Sequence, residues 1–213
     1  MRFYVRRRDF GRLTLTGLAA PFLGGLADST FGGVPLGVQT YSFRDLPRPQ
    51  DANAIDVLIK AMTDCGLSDC GVVGPTGRTA RTECRARYPG HTEVERVRLK
   101  AREDLRAWRS NTSLDYFRGI KQKFDAAGIT IYAYNYSFSA DMTDAEIDRG
   151  FEMARALGAE IITASTNLTV AKRVAPFADK HRMIVAMHGH SNRTDPNEFC
   201  TPESFAVAMK MSK

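Results

Sequence analysis

No two of the four cysteines are spaced as CxxC, which removes a zinc ribbon from consideration. Cys65 and Cys70 stand close together, while Cys84 and Cys200 lie far from them and from each other. Buried thiols acting as small apolar side chains suit that scatter. An oxidising compartment would permit a disulfide, and the spacing does not say which. No apolar stretch reaches the ~20 residues that a helical membrane span requires. A G-x-x-x-x-G-K-[ST] phosphate loop is also missing. Gly74-Pro75-Thr76-Gly77-Arg78-Thr79 has the glycines but neither the spacing nor the lysine, and reads as a turn. Aromatics are scarce in the basic segment 78–109, with Tyr88 and Trp108 alone among ten Lys/Arg and five Asp/Glu. Without stacking partners for bases, a solvated, partly helical excursion is the better reading than a nucleic-acid surface.

What remains is an ordinary globular composition, 43% hydrophobic and 25% charged in 213 residues. The formal charge of +6 is concentrated at the start, where residues 1–27 carry five arginines against Asp9. The rest is close to neutral, so net charge gives no reason to expect an acidic partner. That basic start runs into an apolar stretch from Leu13 to Leu26, too short to span a bilayer but suited to a signal-peptide core. Arg7-Arg8-Asp9-Phe10-Gly11-Arg12 resembles a twin-arginine export signal, and Gly25-Leu26-Ala27 offers small residues for cleavage. The expectation is an exported, periplasmic protein whose first 27 residues are removed. An uncleaved anchor or an N-terminal helix is the alternative.

Beyond the leader, short apolar runs alternate with amphipathic segments. Strands are expected at Leu36–Tyr41, Asp69–Val73, Ile129–Tyr134, Glu160–Ala164 and Arg182–His188. Helices are expected over Ala52–Cys65 and over Thr112–Ala127, the latter capped by Thr112 with Tyr116, Ile120, Phe124 and Ala127 on one face. A third opens at the capping box Thr143-Asp144-Ala145-Glu146, with Ile147, Phe151, Ala154 and Leu157 inward. Val170, Val174 and Phe177 mark a fourth, and Thr201-Pro202 begins a fifth. Strands alternating with helices imply parallel pairing and an α/β class. About five βα units fit an incomplete (β/α)8 TIM barrel over 36–213, eight units usually taking about 250 residues. A smaller doubly wound sheet is the rival fold.

Four stretches resemble the xylose isomerase-like TIM barrel superfamily, which includes sugar phosphate isomerases/epimerases and relatives of endonuclease IV. They are Gly37-Val38-Gln39-Thr40-Tyr41-Ser42-Phe43-Arg44-Asp45, the segment from Leu114-Asp115-Tyr116-Phe117 to Tyr132-Ala133-Tyr134-Asn135, that from Phe151-Glu152-Met153-Ala154 to Thr163-Ala164-Ser165-Thr166-Asn167, and Val185-Ala186-Met187-His188-Gly189-His190-Ser191-Asn192. The resemblance implies an active site at the carboxyl ends of the strands. It also implies a divalent metal ion (Mn, Mg, Co or Zn) that stabilises an enediolate-like charge while a proton moves. Relatives usually place a glutamate after the cysteine of the second strand, where this chain has Gly71 after Cys70. The segment from Val73 to Thr79 replaces a loop that commonly carries another acid.

His188 and His190, two residues apart in an extended segment, leave the same face and are the expected catalytic pair and metal ligands. Asn192 continues their row. Gln39 and Tyr41 alternate together at the end of the first strand, and Asn135 and Asn167 follow the third and fourth. Amides and phenols both donate and accept, which suits a hydroxyl-rich sugar or polyol, though such side chains also satisfy loop backbone. The expected activity is metal-assisted isomerisation or epimerisation. A non-catalytic barrel remnant or sugar-binding module and a nuclease-like relative are the alternatives.

Overall fold

A computed structural model describes residues 29–47, 53–73 and 103–212. The export-signal segment, the turn at 74–79, Cys84 and most of the basic excursion lie outside these residues. Among the described residues no helix is long and apolar enough to cross a membrane.

Two short strands, β1 (Thr30–Phe31) and β2 (Val34–Pro35), form an antiparallel hairpin ahead of the main sheet. The sheet contains β3 (Gly37–Gln39), β4 (Asp69–Val73), β5 (Thr130–Asn135), β6 (Ile161–Ala164) and β7 (Ile184–Met187). All neighbours are parallel, and spatial order follows chain order from β3 to β7. Right-handed crossovers, the rule for parallel strands, place the described helices on one face. A doubly wound sheet would instead reverse its order at a switch point. This single sense of winding is that of a (β/α)8 barrel, so the expectation of a partial barrel with about five units holds.

The helices are α1 (Ala54–Asp64), α2 (Leu114–Ala126), α3 (Asp144–Ala156), α4 (Leu168–His181) and α5 (Pro202–Ala208), with residues 103–111 also helical. From α2 onward each packs on the next, as winding in one sense requires. Their starts are fixed by side-chain caps. Asn53 accepts from Ile55 N, Asn167 from Val170 N, and Thr143 and Thr201 each close a capping box. Between the helices and the outer sheet face lies the core, including Met62, Cys70, Val72, Phe117, Phe124, Ile147, Phe151, Ile162 and Val174. Burial, aided by the neighbouring Asp69, pushes the Cys70 thiol up to about 12, as expected for a space-filling thiol. Among the described residues Cys65, Cys70 and Cys200 form no disulfide.

Several boundaries differ from the sequence expectation. The first strand ends at Gln39, and Thr40–Phe43 form a 3-10 turn because Thr40 Oγ1 turns inward to accept Val73 N at 2.9 Å. Ser113, not Thr112, caps α2; the Thr112 hydroxyl donates back to Trp108 O at 2.6 Å. The buried stripe of α2 is Phe117, Ile120 and Phe124, leaving Tyr116 45% exposed with its ring edge against Trp108. β7 starts at Ile184, since Arg182 closes α4 in the left-handed region at φ 50°.

Residues 103–111 are clamped to α3 by charge. Arg106 donates from Nε to Glu146 Oε1 at 2.5 Å and reaches Asp141 Oδ2 at 3.2 Å. Arg109 lies over the Tyr136 ring, 4.5 Å from its centroid. The described part of the basic segment thus serves packing. The Arg106 hydrogen bond, with help from Thr143, holds the Glu146 carboxyl down at about 2, against an ordinary 4.5. A carboxyl whose folded pKa is depressed contributes stability that is fully present above 4.5 and lost as pH falls towards about 2. Urea unfolding measured at stepped pH should show this loss between those values, and Glu146→Gln should flatten the slope there. An unaltered slope in the variant would remove Glu146 as a source of acid lability.

Candidate active site at the strand tips

Register defines layers on the inner face of the sheet. Gln39 pairs with Gly71, Gly71 with Ala133, Ala133 with Ile161 and Ile161 with Ile184. One layer nearer the carboxyl ends lie Val73, Asn135, Thr163 and Ala186. His188 follows Ala186 by two residues, which continues the same face above that layer. Its backbone N–H still donates to Ala164 O at 2.8 Å, so it extends the β6–β7 ladder. His190 is anchored by its own N–H to Phe199 O at 2.8 Å. The two rings meet edge to face, with centroids 5.6 Å apart and planes at 77°. Both residues are exposed, so a ligand at the mouth can reach them.

The other expected residues are spread around this pair. Asn135 ends β5 and donates from Nδ2 to Thr163 O at 3.1 Å and Oγ1 at 3.2 Å. Gln39 is exposed at the end of β3. Tyr41 does not alternate with Gln39 as an ideal strand would demand. It sits in the 3-10 turn, with the Arg44 guanidinium 4.7 Å from its ring centroid. Asn167 spends its carboxamide oxygen on the α4 cap, accepting Val170 N at 3.0 Å. That of Asn192 accepts Thr194 N at 3.3 Å and Thr194 Oγ1 at 2.7 Å, shaping the loop.

Two residues outside the sequence reading belong to this face. Tyr132 is 41% exposed, and its hydroxyl would lie 3.7 Å from a Cβ added at Gly71. A Cβ on Gly37 would meet the Tyr132 ring at 2.9 Å, so the two glycines let this ring lie across the first strands beside Gln39. Strict alternation would put Tyr132 and Tyr134 on one side. A register shift at Cys70/Gly71 separates them, and Tyr134 goes into the outer core at 1% exposure. The second is Glu198, whose Oε2 lies 3.7 Å from His190 Nδ1. Nothing local in the sequence announces that meeting.

Among the described residues no three His, Cys, Asp or Glu side chains converge to hold a metal ion. Two imidazoles at the rim fall short of the several fixed ligands that a resident divalent cation needs, so this residue set does not fit the metal that the family resemblance implies. A groove of about 410 Å³ lies elsewhere, on the outer helical side between α2, α3 and α4. Its cations are already engaged, Arg118 with Asp115, Lys180 with Asp148 and Arg155 with the His181 carbonyl, and none of the expected site residues lines it.

No protein-family model and no curated protein matches this chain. Solved structures give partial likenesses. An uncharacterised protein from Parabacteroides distasonis is 21% identical with a TM-score of 0.49, over 72% of this chain and 52% of that one. The probable 3-DHS dehydratase AsbF from Bacillus anthracis is 12% identical with a TM-score of 0.48, over 82% and 58%. A sugar phosphate isomerase/epimerase from Parabacteroides distasonis is 17% identical with a TM-score of 0.44, over 88% and 67%. The chain spans about half the length of the first of these. At scores below 0.5 the fold assignment rests on the strand order itself.

Proposed function

We propose that this chain is a sugar isomerase or epimerase of the xylose isomerase-like barrel group, acting on a sugar or polyol at the strand tips. The observation that carries the reading is the His188–His190 contact directly above the Asn135 layer, on a sheet wound in one sense. The four stretches of sequence resemblance support it independently.

The chemistry needs a base for the proton on the carbon beside a carbonyl and a donor for the carbonyl oxygen. Two imidazoles within one ring contact can supply both. One, neutral, accepts the carbon-bound proton; the other, protonated, gives its proton to the oxygen as the C–H electron pair becomes the enediol double bond. Isomerisation follows when that one proton is delivered to the neighbouring carbon while the hydroxyl on the first carbon gives its own proton to the now-neutral imidazole and becomes the new carbonyl. Epimerisation follows when the proton returns to the opposite face of the original carbon while the newly formed hydroxyl gives its proton back. Gln39 and Asn135 would hold hydroxyls, and the Tyr132 ring would cover the floor of the site.

Incubating the purified chain in D2O with a panel of aldoses, ketoses and their phosphates tests this directly. Deuterium should appear at the carbon next to the carbonyl of at least one sugar. His188→Gln and His190→Gln should each slow that exchange by about 10²–10⁴-fold, the usual worth of a positioned acid or base. Sugar binding with no exchange would favour the non-catalytic binding module, and neither binding nor exchange would defeat both readings.

A further inference from the structure

The loop between β7 and α5 folds back onto the amino end of α4 instead of leaving the site. Asn167 and Glu198 form an isolated antiparallel bridge. Leu168 N donates to Asn197 O at 2.8 Å, and Thr169 donates from N and from Oγ1 to Asn197 Oδ1, both at 3.0 Å. Glu198 N donates to Asp195 O at 3.1 Å, and Cys200 N to Glu198 O at 3.1 Å. Phe199, fully buried, pins the loop from below. Residue 198 is therefore held on both sides by backbone, and the direction of its side chain is fixed by the loop.

That side chain is only 25% exposed, and its Oε2 is buried with no hydrogen-bond partner among the described residues. A buried carboxylate oxygen without a donor is costly, and native structures supply one. His190 Nδ1 stands 3.7 Å away, just beyond hydrogen-bond distance and within reach of a small carboxylate rotation. We infer that Glu198 is a positioning residue for His190: its Oε2 accepts the Nδ1–H, which leaves the lone pair of Nε2, on the other edge of the ring, free for the mouth. The role assigned to His190 rests on the proposed proton-transfer reading, whereas its tautomer is a property of the free protein. An imidazole whose Nδ1 is held by a carboxylate is fixed in both orientation and tautomer, as an acid–base group must be to act at one atom.

The test is the nitrogen-15 spectrum of the neutral His190 ring in the full chain without substrate, with His188 as internal control. The wild type should show the Nδ1–H form in excess. Glu198→Ala should move the ratio about tenfold towards Nε2–H, the scale of one lost charge-assisted hydrogen bond, and leave His188 unchanged. Glu198→Gln keeps an acceptor and the side-chain size, and should fall between the two. If Glu198→Ala unfolds the loop, Glu198→Asp withdraws the carboxylate by one methylene with less disturbance and should move the ratio in the same direction. A wild type already in the Nε2–H form, or a ratio unmoved in a folded variant, overturns the inference. A shifted ratio in a protein that exchanges no sugar proton would uphold the positioning and remove only the isomerase reading.

Discussion

Phe151→Ala should lower the unfolding free energy by about 3–5 kcal/mol, read from the urea midpoint at constant slope. Phe151 has no exposure and lies in the middle of the inward stripe of α3. Its ring stacks on Phe138, with centroids 5.7 Å apart and planes at 25°, and on His181, at 5.1 Å and 10°. His181 is fixed from its other side by Asp148, Nε2 to Oδ1 at 2.6 Å, so it cannot slide in to fill the void. The cavity term should therefore be felt in full. A domain stability of about 5–15 kcal/mol leaves little room for such a loss. A cost under about 1 kcal/mol would mean that α3 is not seated as described.

Two glycine substitutions should have opposite signs. A Cβ at Gly150 would meet the Tyr136 ring at 2.6 and 2.7 Å, closer than real contacts allow. The ring cannot retreat. It is 1% exposed, its hydroxyl donates to Glu146 O at 3.1 Å, and Arg109 covers its face. Overpacking of this kind costs about 1–3 kcal/mol, more for Gly150→Val than for Gly150→Ala. The alanine variant recovers up to about 1 kcal/mol of helix propensity and the valine less. At Gly119 in α2 a Cβ meets nothing within 4 Å among the described residues, so Gly119→Ala should gain up to about 1 kcal/mol of stability. Thermal melts of the three variants decide it. Gly150→Val as stable as wild type would contradict the packing of α3 on β5 and its following turn.

Local chemistry made much of the fold legible in the sequence. The capping box at Thr143 and Glu146 and the stripe Ile147, Phe151, Ala154 and Leu157 depend on residues one or two turns apart, and both are as expected. So is Thr201-Pro202 at the start of α5. The misreadings fall where a distant group decides. Thr40 leaves the strand because Val73 N waits for its hydroxyl, 33 residues away. Tyr116 and Phe117 are adjacent aromatics either of which fits a helical stripe, and the sheet selects Phe117. Tyr132 reaches the inner face through a register irregularity that no periodicity encodes. The His188–His190 pair is legible because two side chains two residues apart in extended backbone share a face. Glu198 is not, because it meets His190 only after a loop has folded onto another helix.

That loop changes what keeps the mouth in shape. Among the described residues β7 has one neighbour in the sheet, and Ile184 at its start is 64% exposed. The two imidazoles thus hang from an edge strand, where sheet packing alone gives weak purchase. The return of residues 190–200 to α4 acts as a splint across the gap, tying the strand's far end to a helix already seated in the core. Rearrangement at the rim would then begin with release of Asn197 from Leu168 and Thr169, before any strand separates.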